Sequence, residues 1–105
     1  MMAKKFCDLD AGDKIYAFTS DILYTLTIAE VIGTNNYSVV FNLEENEAYK
    51  DFFQNTSCDS KIMVGKDADV YYYHNGVVLF ADKETVRDYL ETLKKRIDIM
   101  INLLN

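Results

Sequence analysis

The residues with catalytic chemistry are few, and their spacing decides what they can do. His74 is the only histidine in 105 residues. It stands just before Asn75-Gly76, a strong turn signal. No serine, cysteine or acid lies at a spacing that would build a nucleophile, base and orienting group around it. Cys7 and Cys58 form neither a CxxC pair nor a zinc-type spacing, and one His with two scattered Cys supplies too few soft ligands for a metal. The four glycines, at positions 12, 33, 65 and 76, are isolated, so no phosphate-cradling loop is present. Glu44, Glu45 and Glu47 cluster where a helix would begin, a place that favours negative charge. They read as helix-start charges or as an acidic patch for a basic partner, and not as a positioned acid/base pair. The sequence therefore predicts no enzyme, no cofactor and no metal.

Binding chemistry is better represented. Eight tyrosines supply rigid, amphipathic area, which favours recognition at low entropic cost. Three run together in VYYYHNGVV, residues 70 to 78, and Tyr72 and His74 share one face of that stretch. The densest cations are Arg87, Lys94, Lys95 and Arg96. If an anionic ligand binds, Arg87 or Arg96 would hold its charge and Tyr72 would stack on its ring. Charge argues against a general nucleic-acid binder: 17 acidic against 11 basic residues give a net −6, whereas phosphate binding needs a basic surface. An acidic surface suits solubility, a basic protein patch, or mimicry of nucleic acid.

The elements that must position these residues are legible from period. Half of the chain is apolar, as a folded domain requires, and 105 residues suffice for one core, so a single domain over 1–105 is expected. Residues 1–81 read as β-rich and 82–105 as a C-terminal helix. Ala11-Gly12-Asp13 is a turn; KIYAF and ILYTLTIAEVI follow as strands. With a two-residue loop at Asn35-Asn36, Val39 would pair with Ile32 and Leu43 with Ile28. That register puts Glu30 in an apolar row opposite Phe41, either as a partly buried carboxylate or turned outward by a bulge. Residues 44–54 change to helical spacing and predict a short helix that tucks aromatics against the sheet. Residues 61–64 are a short strand. A two-residue loop at Asn75-Gly76 pairs Tyr73 with Val78, Tyr72 with Leu79 and Tyr71 with Phe80. Both faces of this hairpin are apolar, so something must cover the second one.

The C-terminal helix is the obvious cover. Asp82 is its expected N-cap and Glu84 lies in its first turn. Val86, Leu90, Leu93, Ile97, Met100 and Leu104 recur as a heptad seam. In the last turns Ile97, Ile99, Met100, Ile101, Leu103 and Leu104 point nearly all round the helix. Tyr89, Ile99, Ile101 and Leu103 lie off the seam and would stay wet in a monomer. A homo-oligomer, a dimer by default, is expected through Tyr89, Leu93 and these distal residues. The fold class is α+β: a small antiparallel, barrel-like sheet of five or six strands, a short middle helix and a long C-terminal helix.

Two stretches, FCDLDAGDKIYAF and YYYHNGVVLFADKETVRDYLE, resemble small uncharacterised proteins of bacteriophages and mobile elements. The likeness covers about a third of the chain, Phe6 to Phe18 and Tyr71 to Glu91. It implies an SH3-like barrel with a C-terminal helix, a phage or bacterial source, and interference with a host system. The expected function is thus a non-catalytic, phage-type protein that inhibits or occupies a bacterial host protein, as an anti-defence factor would. The alternatives are an oligomeric sponge that sequesters a small anionic ligand such as a nucleotide signal, and a virion structural or assembly protein. The opening residues lack the apolar run of a signal peptide, and no stretch approaches the roughly 20 apolar residues of a membrane span. A cytoplasmic protein is expected, in the host cell if phage-encoded.

Overall fold

A computed structural model describes residues 4–33, 38–41, 52, 61–73 and 76–105. Six strands appear in chain order: β1 (Lys14–Thr19), β2 (Ile22–Ile32), β3 (Ser38–Phe41), β4 (Lys61–Met63), β5 (Val70–Tyr73) and β6 (Val77–Phe80). One long helix follows, α1 (Lys83–Leu104), and a 3-10 turn, Phe6–Asp8, precedes them. The strands form one antiparallel sheet in the order β4-β3-β2-β1-β6-β5, curled into a half-barrel. This is the α+β architecture expected. The short helix expected over 44–54 lies outside the described residues except for Phe52, which is helical, fully buried and 5.0 Å from the ring of Tyr24.

The alternation of β1 explains how the sheet is covered. Ile15, Ala17 and Thr19 point into the half-barrel and are buried, among a core that includes Phe6, Leu26, Ile28 and Leu79. Tyr16 and Phe18 point the other way, to Val78, Phe80, Val86, Tyr89 and Leu90. All four residues of β6 are buried because that strand is covered on both sides. As expected, α1 covers the second face of the hairpin over Val78 and Phe80, but it leaves Tyr72 exposed.

Turn chemistry sets the connections. Ser20 and Asp21 both have positive φ, 48° and 62°, in the two-residue loop that closes Thr19 on Ile22. Such loops match the twist of the flanking strands. Gly12, at φ 92°, occupies the turn in which Asp13 donates its N–H to the Asp10 carbonyl at 3.0 Å.

Two registers differ from expectation, the terminal hairpin by one residue and the β2–β3 pair by one residue at Ile32 and two at Ile28. In the terminal hairpin, Val70 pairs with Phe80, Tyr71 with Leu79, Tyr72 with Val78 and Tyr73 with Val77. Three residues, 74 to 76, therefore separate the strands, and Gly76 has φ 74°, the αL position that three-residue hairpin loops place last. Tyr71, Tyr73, Val77 and Leu79 face the half-barrel core, while Val70, Tyr72, Val78 and Phe80 face the helix side. In the β2–β3 pair, Ile28 meets Phe41, but Val31 meets Val39 and Ile32 meets Ser38, with an irregularity between Ile28 and Glu30. This bulge hands the inner face to Val31 and turns Glu30 to solvent. Asn35, Asn36 and Leu43 lie outside the described residues.

Helix α1 is capped by Asp82, whose carboxylate accepts the N–H of Glu84 at 3.1 Å. Its packing ends early. Val86 is buried and Tyr89, Leu90 and Leu93 are half-buried, but every residue from Lys94 onward is exposed. The helix is roughly 33 Å long, and its distal half runs past the sheet. The radius of gyration is accordingly 14.8 Å, against about 13 Å for a compact chain of this length.

Candidate functional site

Two features stand apart from the covered core: a cleft beside β5 and the distal end of α1. The cleft lies between β5 and the proximal half of α1. At one end of it the hydroxyl of Thr85 donates to the carboxylate of Asp69 at 3.2 Å. Farther along, a space of about 340 Å³ opens between them. Val70, Phe80, Tyr89 and Leu93 supply its apolar floor, and Thr85, Asp88, Thr92 and Arg96 supply a polar helix wall. Those four recur at steps of three, four and four, which keeps them on one side of the helix. Tyr72 forms the opposite wall and is 72% exposed.

The structure thus brings together two residues that sequence reasoning singled out, Tyr72 and Arg96, and separates a third. Arg87 is nine positions before Arg96, about 180° round the helix, and pairs with Glu84 at 3.3 Å on the exposed surface. Such a pair contributes little. His74, Glu44, Glu45 and Glu47 lie outside the described residues. Sequence reasoning missed Asp88, Thr85, Thr92 and Val70; their helical spacing was visible, but the opposing strand edge was not.

The backbone of β5 adds a second property to the cleft. The amide of Ala81 donates to the carbonyl of Asp69 at 2.9 Å, so residues 69 and 81 form a hydrogen-bonded pair. Alternation along an antiparallel ladder then points the N–H and C=O groups of Val70 and Tyr72 away from β6, to the open edge. Their side chains line the cleft. Among the described residues this edge is covered only upstream, where Phe6 donates to the Ala68 carbonyl and Cys7 to the Lys66 carbonyl, each at 2.9 Å. Among the described residues no strand lies outside β5.

The distal helix presents Ile97, Ile99, Met100, Ile101, Leu103 and Leu104, all exposed; Leu103 is 79% and Leu104 87% accessible. At 3.6 residues per turn these six span about 200° of the helix circumference, leaving Lys95, Asp98 and Asn102 on the remaining arc. The apolar surface is therefore more than a seam and less than complete. Tyr89, expected to be wet and at an interface between copies, is instead half-buried: its ring lies 5.8 Å from Phe18 and 5.2 Å from Phe80.

A second hollow, about 230 Å³, lies at the start of α1 among Lys4, Lys14, Lys83, Asp13 and Asp82. Its mixed charges, three lysines against two aspartates, select no ligand. Among the described residues no group of His, Cys, Asp and Glu could hold a metal, every buried side-chain polar atom has a hydrogen-bond partner, and no helix is long and apolar enough to cross a membrane. No protein-family model, curated protein or solved structure matches the chain.

Proposed function

We propose that this is a non-catalytic binding protein that assembles with copies of itself through the distal half of α1 and acts by occupying a protein partner, in the manner of a phage-type inhibitor of a bacterial host protein. The observation that carries the reading is the uncovered end of the helix. Isolated exposed apolar side chains are ordinary, but six within little more than two turns form a continuous patch, and such patches mark interfaces. Fully burying each side chain would contribute about 1.5 to 3 kcal/mol.

The width of the patch bears on the number of chains. A two-stranded coiled coil buries a narrow stripe at the a and d positions. An arc of about 200° also includes the flanking positions, which pack only when a helix has more than one neighbour. The arc therefore favours a bundle of more than two helices over the default dimer, each chain holding its sheet at the periphery.

A second reading is favoured by one observation: Tyr72 and Arg96 share a cleft, as a sponge for an anionic ring compound would require. Asp88 in the same wall opposes an anion, and Arg87 is out of reach. This reading is the weaker one.

Native mass spectrometry of protein purified from bacterial cells tests the proposal. It predicts a multiple of 12.1 kDa, with or without a retained host protein. A lone chain with nothing attached would overturn it.

A further inference from the structure

Resting on the reading of a protein-occupying module, we propose that the cleft between β5 and α1 takes an extended peptide segment of the partner, added as a further strand on the edge of β5. The two properties of the cleft converge on this occupant. Among the described residues nothing pairs with the edge N–H and C=O groups of Val70 and Tyr72, and main-chain hydrogen bonds are what an added strand uses for affinity. The same two residues line the cleft, which receives every second side chain of that strand. A small anion would leave the edge unused.

The walls define the peptide's chemistry. The floor of Val70, Tyr89 and Leu93, backed by the buried Phe80, takes an aliphatic side chain. Asp88 and Arg96 stand eight residues apart on the helix, about 12 Å along its axis. Four residues of extended peptide span about 13.6 Å. Positions i, i+2 and i+4 of an extended peptide share one face, so the segment that fits carries opposite charges at i and i+4 and an aliphatic residue at i+2. The basic residue faces Asp88 and the acidic one Arg96.

Two synthetic peptides, TKTVTET and TETVTKT, test this by amide NMR of the full chain. One charge order should move the amide signals of Val70, Tyr72 and Thr92 at millimolar peptide and bind about fivefold more tightly than the other, as two exposed ion pairs allow. The double substitution Asp88→Lys with Arg96→Glu, both at exposed positions, should reverse that preference. Gain of the opposite order cannot come from a folding defect. The proposal is overturned if neither peptide moves the β5 amides, or if the charge swap leaves the preference unchanged. It is also overturned if those amides shift with protein concentration alone, since a second copy then covers the edge, or if they respond only to a nucleotide. Peptide binding and assembly separate cleanly: a multimer that ignores both peptides sinks this inference alone, and a monomer that binds one of them sinks only the assembly.

Discussion

Thr85 donates its hydroxyl to the carboxylate of Asp69 across 3.2 Å, and this bond ties the first turn of α1 to the residue just before β5. It joins helix and strand at the Thr85 end of the cleft. Thr85→Val keeps the shape and removes the donor, leaving a part-buried carboxylate without it. A loss of about 1 kcal/mol is expected, read from urea denaturation. Asp69→Asn, which retains an acceptor oxygen, should cost less. Equal stability of both variants and the parent would show that the bond does not hold that end of the cleft.

Tyr89 anchors α1 to the sheet through its tilted contacts with Phe18 and Phe80. Tyr89→Ala should destabilise by about 3 kcal/mol, at the low end for aromatic truncation because the residue is only half-buried. Tyr89→Phe should melt close to the parent, since the ring makes the contacts. A Tyr89→Ala variant that melts like the parent but loses assembly would restore this residue to an interface between copies.

Gly76 has φ 74° and nothing within 4 Å of where a Cβ would stand. Any cost of substitution is therefore conformational and not steric. Gly76→Ala should lose about 1 kcal/mol, while Gly76→Asn should lose less, because Asn tolerates the left-handed region. Thermal unfolding that ranks Ala above Asn would contradict the turn.

The opposite change suits the first hairpin. Asp21 has φ 62° in a two-residue loop whose second position favours glycine. Asp21→Gly should relieve up to about 1 kcal/mol of backbone strain and raise the melting temperature; a lowered one would refute this.

The helix was legible in the sequence because its period is long and uninterrupted, and the strands because β-branched and aromatic runs alternate with turn residues. The terminal hairpin's register was not, and the reason is physical. A one-residue slip exchanges Val77 and Leu79 with Val78 and Phe80 between faces, and since both faces are apolar, the pattern barely distinguishes the two pairings. Gly76 alone suits a loop of two or three residues. Glu30 was legible as a conflict, an acid in an apolar row, and the bulge beside it resolves that conflict. The cleft was half legible: the face of Asp88, Thr92 and Arg96 follows from helical spacing, but the strand edge opposite depends on how the helix packs on the sheet. The heptad seam likewise marks which residues could pack without marking where the sheet beneath them ends, after Leu93.

Assembly through the distal helix is the central claim, and light scattering over a concentration series tests it most directly. The unmodified chain should have a mass of several times 12.1 kDa at micromolar concentration. Replacing Ile99, Ile101 and Leu103 with Ser, Gln and Lys should yield a folded single chain, because all three are exposed and none packs on the sheet. An unmodified protein that stays monomeric across the series would contradict the account.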